Sequence, residues 1–546
     1  MKFQYTSRGL KGKEKLLQRL FEIIPGALSW VILLALCMLS FFKPLITAIV
    51  IIAFDLYWIL RLFYLNIFLI LSYMRLAIEE KTHWIERIEA LGNSKDYKGR
   101  YRGNDAALSL QERISLFIHQ KEVAALKNDN AVPPWENIYH LVIIPVIKES
   151  REVVEPGLRS LISGSFPSKR ILVVFALEER AQEHIKADIR DMHKKYKSDF
   201  YDLLVVAHPA DLPAEARVKG ANVTYAAQKA AEYLNDKHIP YENVIVSCFD
   251  ADTVVNTEYF NCLTYYYLVT PQRTRASFQP IPVYHNNIWE APSFARMLDI
   301  GSSFFQLIEA TNPEKLVTSS SHSMSFKALV DIGYWPVDII SDDSAVFWKA
   351  LIHFDGDYRV VPIYTTVSMD ITVGRTRWET FRNVYKQKRR WAWGVENFPI
   401  VMRAFLKAEN ISLYKRLKHA FKLLEGHISW ATWPFILSII GWMPALFAER
   451  EFVNSIVYFS TARIRGTIFS LASIVLLNCV FLSVLLLPKQ KMRFFSLKKL
   501  KLAAEWVLIP LISVFLSAIP ALDAQTRLML GKYMVFWVSE KNRKRN

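Results

Sequence analysis

The chain has 546 residues, 52% hydrophobic and 22% charged, with a formal net charge of +17. That length holds two or three domains, and so many apolar residues beside so many charged ones point to apolar spans attached to a polar body. Its four cysteines, Cys37, Cys248, Cys262 and Cys479, include no C-x-x-C pair, which excludes a disulfide framework and a cysteine-rich zinc site.

In chain order, residues 1–25 form a basic arm with Lys2, Arg8, Lys11, Lys13, Lys15 and Arg19. Residues 26–42 (GALSWVILLALCMLSFF) carry no charge, and after Lys43-Pro44 residues 45–74 are apolar apart from Asp55 and Arg61. Crossing the hydrocarbon core takes about 20 apolar residues, so 26–74 is expected to be two transmembrane helices joined by a tight turn. A cleaved signal peptide is the competing reading of the first run. It is disfavoured because a second long run follows at once with no A-x-A-like site between them.

Residues 75–135 read as a cytosolic linker with interfacial helices, and 136–400 as an α/β body. Residues 140–147, 170–177, 203–208 and 244–249 are short apolar runs, the pattern of strands buried on both faces. Helix-like segments at 151–163, 180–196 and 218–234 alternate with them, which predicts a doubly wound sheet with ligands at the carboxyl ends of its strands.

Residues 401–425 read as interfacial helices and 426–522 as further transmembrane helices. Within the latter, 427–448 and 466–488 are uncharged, and 506–522 is apolar but interrupted by Pro510 and Pro520. Residues 523–546 mix apolar side chains with Asp523, Arg527 and Lys532 before a basic tail, and fit a sixth short span, half of a re-entrant hairpin or an interfacial helix. The loop after Pro488 holds Lys489, Lys491, Arg493, Lys498, Lys499 and Lys501, and the tail holds Lys541, Arg543, Lys544 and Arg545. By the positive-inside rule arm, loop and tail are cytosolic, as is the body, which calls for an even number of spans in a multi-pass plasma or inner membrane protein. Because the basic charge collects beside the apolar runs, it favours a lipid bilayer as partner over nucleic acid.

Three clusters carry chemistry. Asp250-Ala251-Asp252 follows the run 244–249, and two carboxylates at a strand end can hold a hard cation, Mg²⁺ or Mn²⁺, with substrate phosphate oxygens completing its shell. Asp342-Asp343 follows Ser341. The plain reading is a helix N-terminus with acidic first-turn residues, and the functional reading makes Asp343 a general base. In QKRRWAWG, helical spacing puts Gln387, Arg390 and Trp391 on one face, with Arg suited to a diphosphate and Trp to a sugar ring. The plain reading there is a basic amphipathic helix on the membrane surface.

In this order Asp250/Asp252, Asp343 and Gln387-x-x-Arg390-Trp391 resemble the D, D-x-D, D, Q-x-x-R-W signature of membrane-integrated family 2 glycosyltransferases such as cellulose, chitin and hyaluronan synthases. The resemblance is close over residues 139–394 and extends to the membrane regions in layout. It implies a GT-A fold (Rossmann-like, a doubly wound mixed sheet) on the cytosolic side, flanked by transmembrane α-helices. It also implies inverting transfer from a nucleotide-sugar donor to a glycan or polyprenyl-linked acceptor.

By the same resemblance Asp250 and Asp252 bind metal and diphosphate, Asp343 is the base, and Gln387, Arg390 and Trp391 hold the diphosphate and the acceptor end. Pro145 to Glu149 (PVIKE) resembles the first-strand turn that lines the nucleotide, and Lys219 and Asn222 resemble the helix start that follows. Glu178 and Glu179 stand where the family has an aspartate, and Lys148 where it has asparagine. Phe536 to Lys541 resembles the gating segment, with Ser539 in place of threonine. Other readings are a single-transfer lipid-linked glycosyltransferase and, from a different class, a transporter or channel with a nucleotide-binding regulatory domain. The latter draws on Asp55 and Arg61 inside the spans.

Overall fold

The computed structural model describes residues 3–92, 109–126, 132–213, 215–447, 453, 456–487 and 497–537. Its centre is an eight-stranded mixed sheet. The strands are β1 (Tyr139–Val146), β2 (Ile171–Glu178), β3 (Asp202–His208), β4 (Val244–Cys248), β5 (Val254–Val255), β6 (Ala276–Val283), β7 (Ser323–Ser325) and β8 (Arg359–Ser368), in the order β3-β2-β1-β4-β7-β6-β8-β5. Strands β3, β2, β1 and β4 are parallel, β7 is antiparallel to β4 and to β6, and β6 is parallel to β8. The four apolar runs read as buried strands are β1 to β4, each within one or two residues of the expected limits.

Two apolar layers cover the sheet. The helices longer than two turns are α1 (Gly12–Phe42), α2 (Pro44–Glu79), α3 (Trp84–Gly92), α4 (Leu110–Ala124), α5 (Arg151–Ile162), α6 (Glu183–Tyr196), α7 (Lys219–Asp236), α8 (Tyr259–Val269), α9 (Ser293–Ala310), α10 (Asp342–His353), α11 (Arg377–Ala392), α12 (Asn397–Lys407), α13 (Leu413–Ser438), α14 (Ile456–Leu485) and α15 (Leu500–Met529). On one face Leu141, Ile143, Leu172 and Val174 pack with the alanine-rich side of α7 and with Val346 and Leu351 of α10. On the other, Val142, Ile144, Val173 and Phe175 pack with Val154 and Leu158 of α5, Ile185 and Ile189 of α6, and α8. Alternate residues of each strand face opposite layers, so strands between two layers must be apolar throughout. The body is the doubly wound, mixed GT-A arrangement the sequence led us to expect.

Helices α1, α2 and α15, and Tyr458–Leu485 of α14, are long and apolar enough to cross a membrane. The run 427–448 is not one continuous helix: α13 ends at Ser438, and a 3₁₀ turn, Ile440–Trp442, and the single turn Met443–Leu446 follow. Even so, residues 413–447 run alongside α1 and α2. Glu425 pairs with Arg61 at 2.6 Å. Trp433 meets Trp58 with ring centroids 5.1 Å apart, and Phe447 meets Phe41 at 5.4 Å. Helix α14 runs parallel to α2, since Arg465 pairs with Asp55 at 3.1 Å and Asn478 with Asn66 at 2.6 Å.

Helix α15 is different. Near its start Glu505 takes Arg296 of α9 at 3.0 Å, and near its end Asp523 takes Arg389 of α11 at 2.8 Å. Both ends therefore rest on the α/β body, roughly 27 Å of helix apart at 1.5 Å per residue. The stretch expected after residue 522 as a separate element instead continues this helix to Met529 and then runs without regular structure to Trp537.

Candidate active site

The carboxyl ends of β1, β2, β4, β6 and β8 open on one side of the sheet, and α7 starts there. Lys219, its first residue, lies at the centre of the site. Its Nζ donates to Asp343 Oδ1 at 2.8 Å and to Asp250 Oδ1 at 3.2 Å, and stands 3.4 Å from Asp342 Oδ2. Burial alone would lower the pKa of this ammonium, but Asp250, Asp342 and Asp343 outweigh it and raise it well above the usual lysine value. The chain can bring α7 this close because residue 220 is glycine: a Cβ there would overlap the carbonyl oxygen of Pro336 and press on Asp342.

Asp250 also accepts a 2.5 Å hydrogen bond from Ser320 Oγ. Its side chain is 27% exposed, as against 24% for Asp343 and 4% for Asp342, so Asp250 and Asp343 face the cleft and Asp342 lies behind them. Burial, only partly offset by Lys219, pushes the Asp342 carboxyl up to about 7. Asp252 is fully buried: one carboxylate oxygen accepts from the Asp370 backbone N–H at 2.7 Å, and its carbonyl accepts from Asn286 Nδ2 at 2.9 Å.

Asp342 and Asp343 open α10, whose N-cap, Ser341, makes no side-chain capping bond. Glu396 instead holds the two residues just ahead of the helix. Its carboxylate accepts from the backbone N–H groups of Ile340 and Ser341, from Ser341 Oγ and from Trp393 Nε1, all at 2.8–2.9 Å. Burial raises Glu396 to about 7 in spite of these donors. The helix-terminus reading of this motif therefore holds together with the site reading: the same first-turn carboxylates grip Lys219.

The other expected residues surround this cluster. Pro145 pairs with Ala176 in the β1–β2 ladder, and Glu149 turns back to accept from the backbone N–H of Ile147 and Lys148 at 2.8 and 2.9 Å. Asn222, one turn after Lys219, donates to the Ala176 carbonyl at 2.8 Å and so ties α7 to the end of β2. Glu178 and Glu179 turn to the β3 side. Glu178 pairs with Arg180 at 3.1 Å and lies 3.7 Å from His208, whose pKa it raises, while Glu179 accepts from Ala210 N–H at 2.8 Å.

Gln387, Arg390 and Trp391 lie on α11, packed between the body and α15 rather than laid open on a membrane surface. Gln387 is 5% exposed, and its Oε1 has no hydrogen-bond partner among the described residues. Arg390 donates to the Trp537 carbonyl at 3.3 Å and lies over the Phe536 ring at 5.3 Å. The start of the gating-like segment therefore meets α11, while Ser539 and Lys541 lie outside the described residues. Trp391 carries Lys388 Nζ over its face at 3.6 Å and faces Tyr284 at the end of β6, 6.4 Å away.

Among the described residues no group of three or more His, Cys, Asp or Glu side chains is arranged to hold a metal ion. Asp250 and Asp252 offer a two-carboxylate donor set, one member anchored by Asp370. That suits a hard divalent cation whose remaining positions are filled by phosphate and water. Ser320, Glu396 and Asp370 were not picked out from the sequence. Asp370 had a usable signal, a carboxylate just past a strand end as in Asp250, whereas Glu396 had none, since its role depends on α12 packing against α10.

Residues 245–487 match the family model described as "Glycosyl transferase family group 2". This part of the chain carries a family 2 glycosyltransferase domain. Among curated proteins it is similar to a poly-beta-1,6-N-acetyl-D-glucosamine synthase of Staphylococcus epidermidis, 25% identical over 294 residues, covering 52% of this chain and 60% of that one. A Staphylococcus aureus protein of the same name is 36% identical over 90 residues, 16% of this chain and 19% of the relative. The chain thus matches about 60% of the first relative's length. Among solved structures, a mannosyltransferase of Pyrobaculum calidifontis in complex with GDP-Man and Mn²⁺ aligns with 66% of this chain and 94% of its own, at 16% identity and a TM-score of 0.35. S. aureus TarS 1-349 in complex with UDP-GlcNAc aligns with 72% and 93%, at 13% identity and a TM-score of 0.36.

Proposed function

We propose that the chain is a membrane-embedded inverting glycosyltransferase that moves a sugar from a nucleotide donor to a glycan or polyprenyl-linked acceptor. The observation that carries this reading is the cluster at the strand ends, where Lys219 bridges Asp250 and Asp343 beside the buried Asp342. Asp250 and Asp252 would hold Mg²⁺ or Mn²⁺, which when bound neutralises the donor's diphosphate. Pro145 to Glu149, Glu178, Glu179, Lys219 and Asn222 border the space for the nucleotide. Asp343 takes the proton from the acceptor hydroxyl as its oxygen bonds to the anomeric carbon. The bond from that carbon to the diphosphate oxygen breaks on the opposite side, which inverts the centre. Gln387, Arg390 and Trp391 hold the diphosphate and the end of the acceptor.

The contacts support a four-span topology: α1, α2, residues 413–447 and α14. Helix α15 lies along the inner membrane surface, because both its ends are held by the body. Four spans keep the arm, the body and the tail on one side, and their basic flanks make that side the cytosol. The curated relatives are named for synthesis of a polymer of N-acetylglucosamine, which makes UDP-GlcNAc the first donor to try.

The test is donor consumption by the full-length protein in detergent, over a panel of nucleotide sugars, with Mn²⁺, Mg²⁺ or a chelator. Consumption that requires the cation and is lost in Asp250→Asn supports the reading. Consumption indifferent to the chelator removes the metal role, and a panel with no donor consumed counts against the activity itself.

A further inference from the structure

The arm before α1 folds back onto the body. Tyr5 is buried in the same apolar layer as α7 and α10. Its hydroxyl donates to Asn397 Oδ1 at 2.7 Å, and Asn397 Nδ2 donates to Ser341 Oγ at 2.9 Å and Ser344 Oγ at 3.1 Å. The next residue, Thr6, donates its hydroxyl to the Asp338 carboxylate. Arg403, almost wholly buried, fixes the arm from below. It donates to the Thr6 carbonyl at 2.6 Å and to Gln18 Oε1 at 2.8 Å, and pairs with Glu14 at 3.1 Å.

Two consecutive arm residues thus hold both ends of the 338–344 loop, with Asp342 and Asp343 between them. The loop needs outside support. Asp343 and Asp250 are carboxylates that share Lys219, so like charges push them apart, and the buried Asp342 lies directly behind them. Ser341 makes no side-chain capping bond; its backbone N–H donates to Glu396 and its Oγ accepts from Asn397 Nδ2, so both neighbours hold the start of the helix from outside.

We propose that Tyr5 and Thr6 are positioning residues for the loop that carries Asp342 and Asp343, so that the N-terminal arm helps set Asp343 against the acceptor hydroxyl. This rests on the reading of Asp343 as the base. Tyr5→Phe removes the hydroxyl that donates to Asn397 Oδ1, and Thr6→Val removes the hydroxyl that donates to Asp338, each at nearly constant volume.

Two readouts are taken on full-length protein in detergent: amide hydrogen exchange, and steady-state kinetics with UDP-GlcNAc and Mn²⁺. In each variant, exchange over residues 338–346 is expected to rise about 5–10-fold, the factor that one buried hydrogen bond is worth, with the rest of the body unchanged. kcat falls by a similar factor, and the donor KM stays within about twofold of wild type, since the arm does not touch the donor side. Lys11→Ala, at an exposed arm position, leaves both readouts unchanged. Unchanged exchange over 338–346 in both variants overturns the proposal. So does a rise spread over the whole body, which would make the arm a general stabiliser. If wild-type protein consumes no nucleotide sugar, the functional reading fails, and the exchange data still decide whether the arm positions the loop.

Discussion

Lys219→Met gives the sharpest test of the site's electrostatics. The ammonium lies 2.8, 3.2 and 3.4 Å from three carboxylates, and its own side chain is 12% exposed. At an effective dielectric of about 20, the contacts to Asp343 and Asp250 are each worth about 5 kcal/mol of attraction before desolvation and carboxylate repulsion are subtracted, and Asp342, which keeps its proton up to about 7, adds less. Removing one member of a buried pair costs about 3–5 kcal/mol. Asp250 and Asp343 are each about a quarter exposed, so water screens part of the uncovered repulsion. A loss of about 2–4 kcal/mol follows, or a fall of roughly 5–15 °C in the unfolding midpoint for a body of this size.

The same variant leaves a carboxylate cluster without its resident cation. Mn²⁺ should then restore part of the loss, by about 2.7 kcal/mol at one hundred times its dissociation constant, and should raise the midpoint of the variant more than that of wild type. The assay is thermal unfolding in detergent with and without Mn²⁺. A variant that unfolds at the wild-type temperature, with the wild-type response to Mn²⁺, would refute the claim that Lys219 holds these carboxylates together.

Two further outcomes follow from the neighbouring carboxylates. Asp343→Asn should cut transfer about 10²–10⁴-fold, the typical worth of a positioned base, while Asp342→Asn, at the buried and more readily protonated position, should do much less harm; kinetics that reverse this order would move the base by one residue. In the folded protein the Asp342 carboxyl keeps its proton up to about 7, against an ordinary value of 3.8, so the folded state binds more protons between those values and Asp342's contribution to stability falls as pH rises through that window. Wild-type stability minus that of Asp342→Asn should therefore decline from about pH 4 to 7 and then level off; denaturant titrations that show no such slope would contradict the assigned burial.

Much of this site can be read from residues alone because strand ends are local features. An apolar run that stops at Asp250 says both that a strand is buried and that a carboxylate lies at its carboxyl end, and the fold kept that relation. The membrane region was harder to read because hydropathy records composition and not neighbours. Residues 427–448 look like one span, yet the helix breaks at Ser438 and still follows α1. Leu500–Met529 has the composition of a span, yet Arg296 and Arg389 hold its two ends to the body. In each case distant partners decide the outcome.

The sequence by itself determined the alternation of strand and helix, the segregation of apolar from charged stretches, and the order of the carboxylates and the Gln387–Trp391 helix, because these depend on periodicity and on residue type at an element's end. Only the tertiary structure decided that Lys219 stands among three carboxyl groups, that Glu396 holds the Ile340 and Ser341 N–H groups ahead of α10, and that Tyr5 reaches the 338–344 loop through Asn397. These contacts join residues as much as 392 positions apart. Their energy is realised only when packing brings both partners out of water together, and no local pattern in the chain encodes that meeting.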